Sequence, residues 1–389
     1  MLSRRIQVLS ESMTLAITAL AKQMKAEGKD VLSFSAGEPD FDTPQVIKDA
    51  AIKAINDGFT KYTAVAGAPE LLEAIKIKLK NENGLDYQVG DIISNVGAKQ
   101  SLFNLMEAIV DDGDEVIVPA PYWVTYPEII KYAGGTVVEI QTDDSTGFKI
   151  TPQQLKDAMT SKTKLLILNS PSNPTGSVYT KAELEALADV LKGTKVLVAS
   201  DEMYEKLIYD NLVFTSTASI SKDMYDRTIT INGLSKSVAM TGWRFGYMAC
   251  PIKEITAAIK KLQSQSTSNI NSITQKAAIP ALLGEANNDM ESMRVEFEKR
   301  RNVAVKLFNE IDGLSVIKPS GAFYLYVNIK KISNDSLDFC KRLLENKGVA
   351  TVPGIGFGSD GYFRFSFATD TKSIEEGISR IKDFVKENY

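Results

Sequence analysis

Short apolar segments rich in β-branched residues alternate with amphipathic stretches through the middle of the chain. The apolar segments lie at 91–93, 115–118, 164–168, 195–199, 228–231 and 245–248. Helical stretches follow the first three segments, one ending near residue 110 and the others lying at 126–132 and 182–191. This alternation predicts an α/β fold with a mostly parallel sheet that helices cover on both faces. Ligands of such sheets bind beyond the carboxyl ends of the strands.

The pattern changes after about residue 280, where a long charged helix runs through Arg301. Strand-like segments follow at 322–327 and 362–367. In the final helix, Ser373 and Glu376 stand at the spacing of a capping box. That helix has its apolar residues on one face: Ile374, Ile378, Ile381 and Val385. These elements predict a second, smaller α+β domain.

We therefore divide the chain into three segments. Residues 46–280 form the predicted large domain, residues 281–389 form the small domain, and residues 1–45 form an N-terminal arm and part of the small domain. The sequence shows no internal repeat and no Gly/Ser-rich linker, so we expect the two domains to pack closely.

The chain of 389 residues contains no histidine. This excludes His-dependent nucleophilic triads, His general bases and His-ligated zinc. Catalysis must therefore use Lys, Asp, Glu, Tyr, Cys or a cofactor, and with only Cys250 and Cys340 as cysteines we expect no metal site. The formal net charge of -4 gives no basic surface for nucleic acid or an anionic membrane, so neither partner is expected.

The apolar stretch at 13–21 allows two interpretations. A pair of arginines precedes it, as in a signal peptide. The stretch is short, however, and Lys22 and Lys25 follow it, so an amphipathic helix that ends at Gly28 explains the pattern better. We expect a cytoplasmic protein.

The strongest local indication of a functional site is the segment Asn232-Gly233-Leu234-Ser235-Lys236, which directly follows an apolar strand. A charged lysine is costly at the end of a buried strand, so Lys236 is a candidate functional residue, although a solvated surface lysine is the ordinary alternative. Arg244, eight residues later, is suited to binding an anion.

Polar residues also follow other predicted strands. Asp201 comes after the strand ending at 199, and Asn173 follows the strand ending at 168. Gly97-Ala98-Lys99 follows a further strand and opens a helix, where free backbone N–H groups and the helix dipole favour a phosphate.

Taken in order along the chain, these residues closely resemble the class I aspartate aminotransferase family, of fold type I among the pyridoxal-phosphate enzymes. The resemblance extends from Ser33 to Arg364. Its most specific motifs are Ser235-Lys236 with Thr241-Gly242-Trp243-Arg244, N-S-P-S-N-P-T-G at 169–176, Pro121-Tyr122-Trp123, and Ser320-Gly321-Ala322-Phe323-Tyr324. The resemblance implies a transaminase of amino-acid metabolism with a mostly parallel, seven-stranded sheet in the large domain.

The family pattern gives each residue a role toward pyridoxal 5'-phosphate. By resemblance, Lys236 forms the Schiff base and, once released, shuttles the α-proton. Asp201 holds the pyridine nitrogen protonated, so that the ring accepts electrons. Tyr204 and Asn173 donate to the phenolic oxygen of the ring, and Trp123 stacks on it, with core packing as the alternative for Trp123.

The resemblance also implies a homodimer, because the phosphate site uses both subunits. It places the phosphate among the backbone of Gly97, Ala98 and Lys99, the guanidinium of Arg244, and Tyr62 of the partner subunit. Ser235 offers a further hydroxyl. Gly233 stands where some relatives carry a phosphate-binding serine, which leaves the role of Ser235 open.

The substrate α-carboxylate is expected at Arg364. Alternation in the strand at 362–367 puts this charge among aromatic neighbours, where a carboxylate would pair with it in bidentate fashion. The alternative is a surface-facing strand arginine. By resemblance, Gly37 and Asn173 complete the carboxylate site.

The distal carboxylate of aspartate or glutamate is expected at Lys99, with Ser12 and Thr14 as nearby hydroxyl groups. The alternative for Lys99 is that it only supplements the field around the phosphate. The resemblance thus implies a ping-pong exchange between aspartate and 2-oxoglutarate that gives oxaloacetate and glutamate. Aromatic amino acids, alanine or prephenate are the alternative substrates, and a non-catalytic ligand-binding module is the alternative class of protein.

Overall fold

The computed structural model describes residues 2–11 and 13–389. Its strands are β1 (Leu32–Ser33), β2 (Ile92–Val96), β3 (Glu115–Ala120), β4 (Thr136–Gln141), β5 (Thr163–Asn169), β6 (Leu197–Asp201), β7 (Thr228–Gly233), β8 (Phe245–Ala249), β9 (Tyr324–Asn328), β10 (Val349–Ala350), β11 (Val352–Pro353) and β12 (Tyr362–Ser366).

The helices are α1 (Arg4–Gln7), α2 (Met13–Ala26), α3 (Gln45–Asn56), α4 (Pro69–Asn83), α5 (Ala98–Ile109), α6 (Thr125–Ala133), α7 (Pro152–Ala158), α8 (Lys181–Leu191), α9 (Lys222–Arg227), α10 (Lys253–Ser266), α11 (Ser272–Leu282), α12 (Asn287–Phe308), α13 (Ser336–Lys347) and α14 (Thr371–Asn388). Single 3₁₀ turns lie at Val89–Asp91, Asp144–Thr146, Thr217–Ser219 and Gly354–Phe357.

The central sheet has seven strands in the order β2-β8-β7-β6-β5-β3-β4. Strand β8 runs antiparallel to both its neighbours, and the other pairings are parallel. Every residue of β7 and β8 is buried, because helices cover the sheet on both faces. The predicted α/β fold with a mostly parallel sheet is therefore confirmed. Strand β4, at the edge, lies outside the predicted segments.

The register of the sheet aligns the carboxyl ends of the strands that matter for chemistry. Asn169 of β5 lies opposite Asp201 of β6, and Asp201 lies opposite Ile231 of β7. On the other side of β7, Gly233 lies opposite Gly246 of β8. The loops that follow β5, β6 and β7 consequently leave the sheet side by side at one edge.

Two smaller sheets lie outside the central one. Strands β11, β12 and β9 form an antiparallel sheet, in which Arg364 lies opposite Tyr326. Strand β1 pairs in parallel with β10, which joins the N-terminal segment to the C-terminal part of the chain. Helix α14 packs against α12 and α13 beside these sheets. The division of the chain at residues 45 and 280 stays a prediction.

The start of the last helix differs from the prediction. Helix α14 begins at Thr371, and its N-cap is Asp370, whose Oδ1 accepts from the backbone N–H of Ser373 over 2.9 Å. Glu376 instead accepts from Arg380. An Asp carboxylate caps a helix as well as a Ser hydroxyl does, and here it also accepts from the hydroxyl of Ser373. The predicted capping box was therefore wrong.

The apolar face predicted for the same helix is confirmed, since Ile374, Ile378, Ile381 and Val385 are buried. Near the other end of the chain, the predicted amphipathic helix is present as α2 and ends at Ala26. Within the described ranges, none of the helices combines the length and the apolar character that crossing a membrane requires.

Candidate active site

A cavity of 290 Å³ opens at the carboxyl edge of the central sheet, next to β12. Most residues predicted for the site line this cavity: Gly37, Gly97, Ala98, Lys99, Trp123, Asn173, Asp201, Tyr204, Ser235, Lys236, Arg244 and Arg364. They belong to segments that are far apart in sequence, so the fold alone brings them together.

The structure does not place the remaining three predicted residues at the cavity, for different reasons: one lies outside it, and the side chains of the other two are not described. The side chain of Tyr62 is 90% exposed and lies outside it. Ser12 lies outside the described residues, and so does the side chain of Thr14. The roles predicted for these three residues stay predictions.

Lys236 follows β7 and directs its amine into the cavity, where Nζ donates to the backbone oxygen of Gly37 over 2.5 Å. Burial lowers the pKa of Lys236 to about 8, while the carboxylate of Glu38 opposes this shift and the guanidinium groups of Arg364 and Arg244 add to it. A neutral fraction of this amine is therefore present near neutral pH, and only the neutral form acts as a nucleophile or base.

Asp201 is the last residue of β6 and is only 4% exposed. Its Oδ2 accepts from the hydroxyl of Tyr126 over 2.7 Å, and its Oδ1 accepts from the backbone N–H of Met203 over 3.3 Å. Burial raises the pKa of Asp201, whereas these two hydrogen bonds and the charge of Lys236 lower it. The carboxyl group is thus held in one orientation beside the amine.

Two buried tyrosines form the wall between Asp201 and β12. The hydroxyl groups of Tyr204 and Tyr324 share a hydrogen bond of 2.9 Å, and burial raises the pKa of both above the ordinary value. A Cβ atom on Gly37 would lie 2.9 Å from the hydroxyl of Tyr324, so the backbone passes there only because residue 37 has no side chain.

One end of the cavity is suited to an anion. Gly97 caps α5 with a φ of 77°, and a Cβ atom there would lie 2.6 Å from Nη2 of Arg244. Ala98 and Lys99, in the first turn of α5, line the cavity beside this guanidinium. The free N–H groups of that turn, the helix dipole and the arginine all favour negative charge.

Ser235 is buried and lines the same cavity. A Cβ atom on Gly233 would lie 2.7 Å from the backbone oxygen of Phe245, so no serine fits at position 233 without a backbone shift. The phosphate-binding serine of some relatives therefore has no direct counterpart here, and the contact of Ser235 with a phosphate stays a prediction.

Arg364, on β12, also lines the cavity and is 2% exposed. Its Nη1 donates to Oδ1 of Asn173 over 2.9 Å, and its Nη2 donates to the backbone oxygen of Ser35 over 2.7 Å. Its guanidinium carbon lies 4.4 Å from the ring centre of Tyr324 and 5.1 Å from that of Phe357. Nε is buried and has no hydrogen-bond partner among the described residues. The alternative of a surface-facing strand arginine was wrong.

Lys99 and Trp123 approach each other at the open side of the cavity. The ammonium of Lys99 lies 5.0 Å from the ring centre of Trp123. Burial lowers the pKa of Lys99, and the nearby charge of Arg244 lowers it further. Lys99 is therefore a partly desolvated cation that lies over an aromatic ring.

The cavity also has lining residues that the sequence did not single out: Leu15, Val124, Thr125, Tyr126, Asn169, Met203 and Tyr324. Tyr324 stood in a recognised motif without an assigned role. Tyr126, three residues after Trp123, had no local signal, because its partner Asp201 is 75 residues away.

The arrangement combines a deprotonatable amine, a buried carboxyl group and two guanidinium groups in one cavity. Arg244 with the first turn of α5 can bind one anion, and Arg364 can bind another. The amine of Lys236 and the carboxyl group of Asp201 lie in the same cavity. These residues fit a ligand that carries two anionic groups and a reactive carbonyl or amine near Lys236.

Comparison with known proteins agrees with this geometry. The family model "Aminotransferase class I and II" matches residues 29–381. The aspartate aminotransferase of Geobacillus stearothermophilus is 47% identical over 390 residues, covering 99% of both chains. The aspartate/prephenate aminotransferase of Nitrosomonas europaea is 47% identical over 392 residues, covering 98% of both.

A solved structure gives the same result at the level of the fold. The crystal structure of the aspartate aminotransferase from Rhizobium meliloti superposes with a TM-score of 0.95, at 42% identity and with 98% of each chain covered. Since the family model spans most of the chain and these relatives match it from end to end, the chain belongs to the class I and II aminotransferase family.

Proposed function

We propose that the protein is a pyridoxal-phosphate-dependent aminotransferase that converts aspartate and 2-oxoglutarate into oxaloacetate and glutamate. The observation that carries this proposal is the meeting of Lys236, Asp201 and Arg364 in one cavity. Relatives named aspartate aminotransferase, at 47% identity over the full length, support the choice of substrate.

The residues of the cavity fit pyridoxal phosphate. Gly97, Arg244 and the first turn of α5 make a cradle for the phosphate, and a side chain at position 97 would close it. Lys236 supplies the amine that would hold the cofactor covalently, and Trp123 supplies an aromatic face. When bound, pyridoxal phosphate supplies a sink for the electrons that remain when the substrate loses its α-proton.

Two residues handle protons in this proposal. Lys236, with its pKa lowered to about 8, takes the α-proton on Nζ and returns it to the product. Asp201 holds a proton on the nitrogen of the pyridine ring, since an ionised carboxylate in a buried site favours a positive partner. Tyr204 orients the oxygen substituent of the ring by donating its hydroxyl proton.

Arg364 would bind the α-carboxylate of the substrate. One N–H of Nη1 and one of Nη2 donate to Asn173 and Ser35, which orients the guanidinium, and its buried Nε–H has no partner among the described residues. A buried donor without a partner is unfavourable, so a carboxylate bound there satisfies it. The rings of Tyr324 and Phe357 lie against the guanidinium, which is buried from water.

Lys99 would pair with the distal carboxylate of aspartate or glutamate. Its ammonium is partly buried over Trp123, within the same cavity. A homodimer would complete the phosphate site with Tyr62 of the partner subunit, and the 90% exposure of Tyr62 in the single chain leaves its ring available for such a contact.

The test uses purified protein saturated with pyridoxal phosphate. Oxaloacetate formation is followed with a panel of amino donors against 2-oxoglutarate, and borohydride reduction followed by peptide mapping locates the covalently bound cofactor. We expect aspartate to be the best donor and the cofactor to be found on Lys236. Lys236→Ala should lose at least about 10²- to 10⁴-fold in turnover while its fold is retained. Near-normal turnover of that variant would refute the proposal.

Prephenate is the second candidate acceptor. Relatives at 44–47% identity carry the name aspartate/prephenate aminotransferase. Prephenate also carries a second carboxylate, which Lys99 could pair with. Measuring aspartate consumption with prephenate in place of 2-oxoglutarate separates a dual enzyme from one restricted to the shorter dicarboxylates.

A further inference from the structure

Tyr126 contacts two residues of the cavity at once. Its hydroxyl donates to Oδ2 of Asp201 over 2.7 Å. Its ring meets that of Trp123 edge to face, with the ring centres 5.5 Å apart and the planes at 90°. Tyr126 lies in the first turn of α6 and is 2% exposed, so solvent does not compete for its hydroxyl.

The carboxyl group of Asp201 has few other constraints. The amide of Asn169 donates to the backbone oxygen of Asp201 and not to its side chain. The N–H of Met203 reaches Oδ1 over 3.3 Å, which is long for a hydrogen bond. The bond from Tyr126 is therefore the shorter of the two hydrogen bonds to the carboxyl group, and it comes from outside the strand that carries Asp201.

The two hydrogen bonds also act on the charge of Asp201. Burial favours the neutral carboxyl group, whereas a donated hydroxyl proton favours the ionised form. Burial and the neighbouring carboxylate raise the pKa of Tyr126 well above its ordinary value, so its hydroxyl keeps its proton and remains a donor over the whole working range of pH.

We infer that Tyr126 is a positioning residue, whose hydroxyl aims Asp201 at the ring nitrogen of pyridoxal phosphate and keeps it ionised for that contact. This inference rests on the proposed function. Tyr126 acts only through Asp201. Its loss should therefore weaken the part of the cofactor's affinity that depends on the ring nitrogen, and it should leave unchanged the part that depends on the aldehyde and the phosphate.

The test compares two ligands of the cofactor-free protein. One is pyridoxal phosphate, and the other is its deaza analogue, in which carbon replaces the ring nitrogen. Both carry the same aldehyde and phosphate, so they differ only in the group that Asp201 would contact. The ratio of their dissociation constants therefore reports on Asp201 and does not depend on turnover.

The variant is Tyr126→Phe, which removes one oxygen atom and keeps the ring against Trp123. Loss of a hydrogen bond to a charged group should weaken the preference for pyridoxal phosphate over the deaza analogue by about 10- to 100-fold. In the holoenzyme, kcat for aspartate should fall by a similar factor while KM changes much less, because Tyr126 does not contact the substrate.

Tyr122→Phe is the matched control. Tyr122 lies four residues earlier, just before α6, and its hydroxyl donates to a carboxylate, that of Glu139, over 2.7 Å. This variant should keep the wild-type ratio of the two affinities. If Tyr126→Phe does not fold, the smaller Tyr126→Leu carries the same comparison.

Two outcomes would overturn the inference. Equal losses of affinity for both ligands would make Tyr126 a packing residue, and an unchanged ratio with wild-type kcat would remove it from the site. A double variant with Asp201→Ala adds a check, since Tyr126→Phe should have little further effect once the carboxyl group is gone. If the wild-type protein bound neither ligand at Lys236, the proposed function itself would fail.

Discussion

Glu202 and Glu205 lie three residues apart and are both buried, yet their carboxyl groups have opposite preferences for the proton. Burial raises the pKa of Glu202 from 4.5 to about 7, and the charge of Glu205 adds to the shift. For Glu205, burial acts in the same direction, but the ammonium groups of Lys78 and Lys206 outweigh it and lower the pKa. Glu202 lies between Asp201 and Tyr204 in sequence, and Glu205 directly follows Tyr204.

Glu202→Gln should make the protein more stable at alkaline pH. The folded pKa of Glu202 lies above the unfolded value, so its favourable contribution is present below about pH 4.5 and is lost as the pH rises through 7. A shift from 4.5 to about 7 corresponds to about 3 kcal/mol. The glutamine mimics the protonated acid, because Oε1 still accepts from Ser200, Ser216 and Thr217.

The measurement is thermal unfolding between pH 5 and 8.5. The wild-type protein should lose stability across this range more steeply than Glu202→Gln, and the two should converge at the acid end. Glu205→Gln is the matched control with the opposite sign. It removes the buried carboxylate that pairs with the ammonium of Lys78 and leaves only the longer contact to Glu82, so it should destabilise the protein most above the pKa of Glu205. If the stability of Glu202→Gln and of the wild-type protein changed with pH in parallel, the raised pKa of Glu202 would be contradicted.

Arg364→Lys should reduce kcat/KM for all amino-acid donors alike. A lysine keeps the charge but loses the planar set of donors that holds Asn173, Ser35 and, in the proposal, the α-carboxylate. We expect a loss of about 10- to 1000-fold for both aspartate and alanine, because they share that carboxylate. Arg227→Lys replaces another buried arginine far from the cavity and should keep the wild-type rates. Unchanged rates in Arg364→Lys would place the carboxylate elsewhere.

Much of the fold follows from local patterns in the sequence. Six strands of the central sheet were predicted, because buried parallel strands read as continuous apolar runs. Strand β4 was missed. Its segment Thr136–Gln141 lies at the edge of the sheet, where most of its side chains are partly or fully exposed, and polar residues interrupt the run. An edge strand carries less hydrophobic signal than a central one.

The residues of the site could be predicted where a sequence pattern marks them. They could not be predicted where only the three-dimensional fold brings them together. Lys236 belongs to a recognised motif, Asp201 and Arg364 stand at positions to which the resemblance gives a role, and the structure brings all three into one cavity. The bond between Tyr126 and Asp201 depends on the relative position of α6 and β6, which no local pattern encodes. Likewise, the cap of α14 was misassigned because Asp370 and Ser373 are both good caps and only the backbone geometry distinguishes them.

Tyr62 should complete the cofactor site of a neighbouring subunit. Its ring is 90% exposed and does not line the cavity of its own chain, as a residue that acts across an interface requires. Tyr62→Ala should then weaken cofactor binding, and hybrids of Tyr62→Ala with Lys236→Ala subunits should regain activity. Each hybrid dimer would contain one site with Lys236 from one chain and Tyr62 from the other. Hybrids that remain inactive, or an active monomer in sedimentation at assay concentration, would contradict the dimeric site.

A substitution at Lys99 should distinguish an enzyme that prefers dicarboxylic amino acids from related aminotransferases that act on other amino acids. Its ammonium is partly buried over the ring of Trp123, at 5.0 Å, so a substrate carboxylate paired with it would be shielded from water. Lys99→Ala would leave that carboxylate uncompensated, at a cost of about 2–5 kcal/mol, which lowers kcat/KM for aspartate by tens to thousands of fold. Phenylalanine has no distal charge, so its rate should change much less. Because Lys99 also lies in the first turn of α5, a weaker phosphate site would slow both substrates equally. The informative quantity is therefore the ratio of aspartate to phenylalanine efficiency at saturating cofactor, and a ratio that the substitution leaves unchanged would exclude Lys99 as the group that selects the dicarboxylate.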